Sequence, residues 1–170
     1  MKSTLMQEIR IRDVLPGDHA RIVELNADAV LHTSVMDIAR LAELDVMTSY
    51  HKAITVNGGV AGFLLAMRES APYRNDNFAF FAARYKTFLY IDRIVIGSDF
   101  AGLKLGSHLY QDLFDHARHN AVPVLACEYN IDPPNEPSRH FHDKFGFKEI
   151  GRQWLDDGRK QVSLQVAEIQ

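Results

Sequence analysis

Tyr90-Ile91-Asp92-Arg93-Ile94-Val95-Ile96-Gly97-Ser98-Asp99-Phe100-Ala101-Gly102-Leu103-Lys104-Leu105-Gly106-Ser107-His108-Leu109 is the stretch on which the fold turns. It continues an apolar, β-branched run that begins at Phe88 and carries Asp92-Arg93 in its middle, which reads as a strand over 88–96. Gly97, Gly102 and Gly106 then punctuate a loop. From Leu105 the period becomes helical, with Leu105, Leu109, Leu113, Phe114 and Ala117 on one face up to His119. A second apolar strand, Val122 to Asn130, follows. Strand, helix and strand in this order form a right-handed crossover, so the two strands should be parallel neighbours.

The flanks place this unit in a larger sheet. Glu8 to Val14 alternates apolar and charged residues and reads as an opening strand. Pro16-Gly17-Asp18 ends it and offers an N-cap. Ile22, Leu25, Ala29 and Val30 then recur at helical spacing, and Ser34 restarts a helix with Val35, Ile38, Leu41, Ala42 and Val46 on a shared face. His51 to Val56 and Val60 to Met67 are strands joined by Asn57-Gly58-Gly59, residues that tolerate positive φ. Glu69 to Lys86 runs from a polar turn into a short aromatic helix. After strand 122–130, Glu136 to Phe145 is a short helix, and Phe147 to Leu155 and Gln161 to Ile169 are strands around the turn Asp156-Asp157-Gly158. The order predicts one α/β (α+β) domain over residues 1–170. Its sheet should be mixed, mostly antiparallel, of about seven strands, with helices on both faces.

Composition agrees with a folded domain: 46% hydrophobic and 24% charged residues in 170. The net charge, 19 − 22 = −3, argues against a general nucleic-acid binder. Cys127 stands alone, so there is no intramolecular disulfide and no cysteine cluster for zinc. No uncharged apolar run approaches the ~20 residues that span a bilayer, and Met1 to Arg10 lacks the apolar core of a signal peptide. The expectation is a cytoplasmic protein with neither a membrane nor a nucleic-acid partner. A homodimer is compatible with the chain.

Several residues could carry chemistry. A glycine-bearing loop that opens a helix after a buried strand presents free N–H groups at a positive dipole end, which suits a phosphate. It lacks the G-x-G-x-x-G and G-K-[ST] patterns. Plain turn and packing roles for Gly102 and Gly106 are the alternative. Glu128 lies in the otherwise apolar Val124-Leu125-Ala126-Cys127-Glu128. Burial would raise its pKa toward the range useful for a base; otherwise it is a strand-end charge paired with Arg93 or Arg139. Asp92 and Tyr90 share a strand face with positions 94 and 96 by period two. Asp92 either meets a cationic substrate or a proton relay, or pairs with an arginine. Cys127 faces away from Glu128 and reads as a small buried hydrophobe. Asp112, Asp115, His116 and His119 read as a solvated helix face, so no metal is expected. Tyr73 and Phe80, in the aromatic insert, line an acceptor pocket or close a core.

The loop, its strand and the later segment Asn135-Glu136-Pro137-Ser138-Arg139-His140-Phe141-His142-Asp143-Lys144-Phe145-Gly146-Phe147 together resemble the GCN5-related N-acetyltransferase (GNAT) superfamily. Ala101, Lys104 and Gly106 stand at the places of its signature Arg/Gln-x-x-Gly-x-Gly/Ala, and two of the three depart from it. Asn135, Ser138, Phe141, His142, Gly146 and Phe147 stand at the places of Asn-x-x-Ala-x-x-Leu-Tyr-x-x-x-Gly-Phe. The resemblance implies an acetyl-CoA-dependent N-acetyltransferase that needs no metal and takes a small-molecule or peptide amine. Its pyrophosphate would lie on the main chain of Gly102, Leu103, Lys104, Leu105, Gly106 and Ser107. Its pantetheine would lie between splayed strands 88–96 and 122–130, held by Ile94, Val95 and Ile96, with Asn135 beside it. Glu128 would be the base, and His142, at a place that is often tyrosine, the acid. His140 points elsewhere and reads as surface. A non-catalytic acyl-CoA-binding domain on the same fold is the alternative.

Overall fold

The structure is a computed structural model and describes residues 6–170. Seven strands form one sheet: β1 (Ile9–Asp13), β2 (Tyr50–Val56), β3 (Gly59–Arg68), β4 (Leu89–Ile96), β5 (Val124–Asp132), β6 (Lys148–Leu155) and β7 (Lys160–Glu168). Their spatial order is β1-β2-β3-β4-β5-β7-β6. Every neighbouring pair is antiparallel except β4 with β5. Among the described residues there are five α-helices: α1 (His19–Asp28), α2 (Ile38–Asp45), α3 (Asp76–Ala82), α4 (Leu105–His119) and α5 (Glu136–Lys144).

The sheet separates two cores. Leu105, Leu109, Tyr110, Leu113 and Ala117 of α4 pack on one face with Leu89, Ile91, Leu125 and Cys127. Ile22 and Leu25 of α1, Leu41 and Leu44 of α2, and Phe78 and Phe81 of α3 pack on the other with Tyr90, Val95 and Ala126. The parallel crossover and the hairpins at 57–59 and 156–158 are as the sequence predicts. At Asn57 and Gly58 φ is 51° and 85°, the left-handed pair a two-residue hairpin requires.

The period-two assignment of 90, 92, 94 and 96 to one face is corrected. The register runs Leu65↔Arg93 and then Ala66↔Ile91, which leaves Asp92 as an extra residue in β4. This bulge turns Asp92 and Arg93 to the α1–α3 face and sends Ile94 and Ile96 to the α4 face, opposite Tyr90.

The helix expected from Ser34 begins instead at Ile38, because Asp37 is the residue that caps it, accepting from the Arg40 amide at 2.7 Å. Its inward face is Leu41 and Leu44, while Val35, Ile38 and Val46 are exposed. The aromatic insert divides: Phe78 and Phe81 are core, and Tyr73 faces a cavity.

Candidate active site

β4 and β5 pair only at Leu89↔Leu125 and Tyr90↔Ala126 and then part. The backbone groups of β4 beyond Tyr90 that face β5 therefore have no strand partner there. A cavity of about 700 Å³ occupies the gap, lined by Glu128, Asp92 and Tyr73 from one face of the sheet and by Tyr110, Cys127 and His142 from the other. It thus passes through the sheet where the strands separate.

Glu128 is half-buried on the wall of this gap. The Tyr90 hydroxyl donates to both carboxylate oxygens, at 2.9 and 2.8 Å. Gln153 donates to Asn77 Oδ1 at 3.0 Å, which turns the Asn77 amide nitrogen toward Glu128. Loss of water around the carboxylate dominates, and the Asp92 charge adds to it; the hydrogen bonds from Tyr90 and Asn77 and the charge of Lys160 oppose it. The balance pushes Glu128 up to about 7. Neither Arg93 nor Arg139 pairs with it among the described contacts.

Asp92 is not a free carboxylate. It accepts from Arg93 Nε at 2.7 Å and from the Tyr73 hydroxyl. Arg93 also donates to Asn26 Oδ1 at 2.9 Å, the Ser34 carbonyl at 3.1 Å and Ser34 Oγ at 2.9 Å. The bulge that places two charged side chains on one face is what lets them pair. The network also ties the connection between α1 and α2 to β4.

The other side of the cavity holds His142. It is buried, whereas His140 is exposed as expected. Its Nδ1 lies 2.7 Å from the Ser138 carbonyl and its Nε2 lies 2.7 Å from the Tyr110 hydroxyl. Burial lowers its pKa. Cys127 is buried on this side, opposite Glu128, and burial pushes its thiol up.

The loop before α4 has Gly102 at φ 87° and Lys104 at φ 56°, ψ 33°. Lys104 thus holds the left-handed conformation that glycine adopts most easily, and it stands at the N-cap position of α4 with no side-chain hydrogen bond to the helix amides. The first amides of the helix, Leu105 to Ser107, have no intrahelical partner by helix geometry. A Cβ on Gly106 would lie 3.4 Å from Phe141, so α4 and α5 approach closely there. Asn135 caps α5, accepting from the Ser138 amide at 3.3 Å. The cavity at the splay of β4 and β5, together with the open terminus of α4, fits a long thioester cofactor carrying phosphates.

Phe80 belongs elsewhere. Its ring covers Gly151 of β6, where an added Cβ would lie 2.7 Å from Cζ, and Arg84 stacks on it at 3.4 Å. It does not line this cavity and packs against the core instead, the second of the two alternatives. Sequence reasoning missed Tyr110, because it lies among apolar residues of the inward helix face and reads as core. The tyrosine hydroxyl at a fully buried position is the signal that could have found it.

The acetyltransferase (GNAT) family profile matches residues 32–147. No curated protein sequence is significantly similar to the chain. Among solved structures, Ard1 from Thermoplasma volcanium aligns with a TM-score of 0.78 at 17% identity, over 95% of this chain and 98% of that one. YncA from Salmonella typhimurium, solved with its cofactor acetyl-CoA, aligns at 0.71 and 20%, over 96% and 95%. The ribosomal-protein-S18-alanine N-acetyltransferase from Escherichia coli aligns at 0.71 and 16%, over 95% and 94%.

Proposed function

This chain belongs to the acetyltransferase (GNAT) family, and we propose that it moves an acetyl group from acetyl-CoA directly to a primary amine, with Glu128 as the base. The observation that carries this reading is the position of Glu128: a carboxylate held near pKa 7, on the cavity wall where β4 and β5 part. A primary amine is mostly protonated near neutral pH and cannot attack a thioester until it loses a proton. A base titrating near 7 is half ionised there and suited to take it, directly or through water. Asp92, engaged by Arg93 and Tyr73, is left to raise the Glu128 pKa and to favour a cationic acceptor.

In this reading the amine enters from the α1–α3 face, past Tyr73, and acetyl-CoA lies on the α4–α5 face. The amides of Gly102 to Ser107 hold the pyrophosphate. Ile94 to Ile96 hold the pantetheine and polarise the thioester carbonyl, and Asn135 lies beside it. Holding amine and thioester in line supplies much of the rate. Lys104 in the left-handed conformation supports this use of the loop, since the backbone path of a glycine is kept without one.

The test is CoA thiol release from acetyl-CoA across a panel of peptide N-termini, lysine, polyamines and small amines. Release that depends on one amine class, and is lost in Glu128→Gln, supports the reading. Tight acetyl-CoA binding with no amine-dependent release from any class would favour a non-catalytic acyl-CoA-binding domain.

A further inference from the structure

Tyr110 is fully buried yet lines the cavity. The rings of Phe141, Phe145 and Phe147 hold its own ring at centroid distances of 4.7, 5.2 and 6.0 Å. Its hydroxyl meets His142 Nε2 at 2.7 Å. The direction of that bond follows from the other side of the imidazole. A backbone carbonyl can only accept, so His142 Nδ1, 2.7 Å from the Ser138 carbonyl, carries the ring hydrogen. In the neutral ring Nε2 is then bare, and Tyr110 donates to it. Neutral His142 has no N–H left for a substrate. The movable hydrogen of the pair is the phenolic one, which turns about a single C–O bond.

We propose that Tyr110 is a catalytic hydrogen-bond donor to the departing CoA sulfur, and that His142 is a positioning residue that holds its hydroxyl in the cavity between turnovers. This rests on the acetyl-transfer reading above. As the carbon–sulfur bond breaks, its electron pair stays on sulfur. The Tyr110 hydroxyl turns from His142 Nε2 to that sulfur and donates a hydrogen bond. The proton stays on the phenol oxygen, because burial holds this phenol a far weaker acid than a thiol. CoA leaves as the thiolate and takes its proton from water. The other titratable groups whose charge acts on Tyr110 are Cys127 and Glu128. Cys127 stays a neutral thiol, and Glu128 takes the proton of the amine.

Bound CoA itself provides the test. Its thiolate is titrated by ultraviolet absorbance, as a difference against the same protein carrying desulfo-CoA. In the wild type the bound thiol should be about tenfold more acidic than that of free CoA, the effect of one hydrogen bond to a charged acceptor. Tyr110→Phe should abolish that gain while binding CoA within about threefold, and should lower kcat about tenfold. His142→Leu should keep the gain, because the hydroxyl is still present. A wild-type thiol no more acidic than free CoA overturns the proposal, whatever the variants do. So does a gain that survives Tyr110→Phe and disappears in His142→Leu, which would make His142 the donor. Failure of the wild type to bind CoA at all would overturn the acetyl-transfer reading, and this proposal with it.

Discussion

Glu128→Gln should move stability and activity in opposite directions. The carboxylate titrates near 7 in the fold against 4.5 without it. That difference, about 2.5 pH units, corresponds to roughly 3 kcal/mol of disfavoured ionisation in the native state. The sign follows from proton counting. Between about pH 4.5 and 7 the native protein keeps a proton that the unfolded chain has lost. Native stability contributed by this group is therefore full below about 4.5 and declines as pH rises through 7. Glutamine has no such ionisation, and its carbonyl still accepts from Tyr90. The variant should match the wild type within about 1 kcal/mol at pH 5 and exceed it by roughly 3 kcal/mol at pH 8.5. Over the same range kcat should fall by 10²–10⁴, the usual loss of a general base. Denaturant melts at several pH values give the first quantity. Initial rates at saturating amine give the second, and the wild-type kcat should break near pH 7. A stability difference flat with pH would refute the burial argument. A variant with near wild-type kcat would refute the base assignment.

Arg93→Met should destabilise by about 3–5 kcal/mol, because Asp92 is left buried and unpaired; the break in the rate profile should also move above pH 7, since Asp92 then acts on Glu128 unopposed, and both are read from melts and kcat against pH. Lys104→Gly should raise the melting temperature by about 2–4 °C, by removing a left-handed non-glycine residue worth about 1 kcal/mol, with acetyl-CoA affinity by calorimetry within threefold. Phe80→Ala should lower the melting temperature by uncovering Gly151 and leave the amine KM unchanged, which kinetics on the productive amine checks.

The crossover unit was legible because its two periods are strong and local: a β-branched run into a glycine loop, then leucines at helical spacing. The bulge at Asp92 was not, since alternation assumes one residue per rung. Two adjacent charges in an apolar strand were the available sign, and Asp92 and Arg93 pair because the extra residue puts them on one face. The phase of α2 failed for a related reason. The apolar residues from Val35 to Val46 outnumber the buried ones, and only packing against α1 and the sheet selects Leu41 and Leu44 over Val35, Ile38 and Val46. Glu128 stood out as a lone carboxylate in an apolar strand, whereas its partners Tyr90 and Asn77 come from distant segments. Tyr110 was hidden by its setting, because a tyrosine on an inward helix face looks like any core aromatic until its hydroxyl is seen to meet His142.

Transfer of the acetyl group itself is the event that Glu128 and the cavity between β4 and β5 are proposed to serve. Acetyl-CoA labelled in the acetyl carbons is incubated with the productive amine, and mass spectrometry follows the label. The prediction is one labelled amide per CoA released, with the label on the amine nitrogen, in the wild type, and at least a hundredfold less amide with Glu128→Gln. Label that stays on CoA, or leaves only as free acetate at an amine-independent rate, would contradict it.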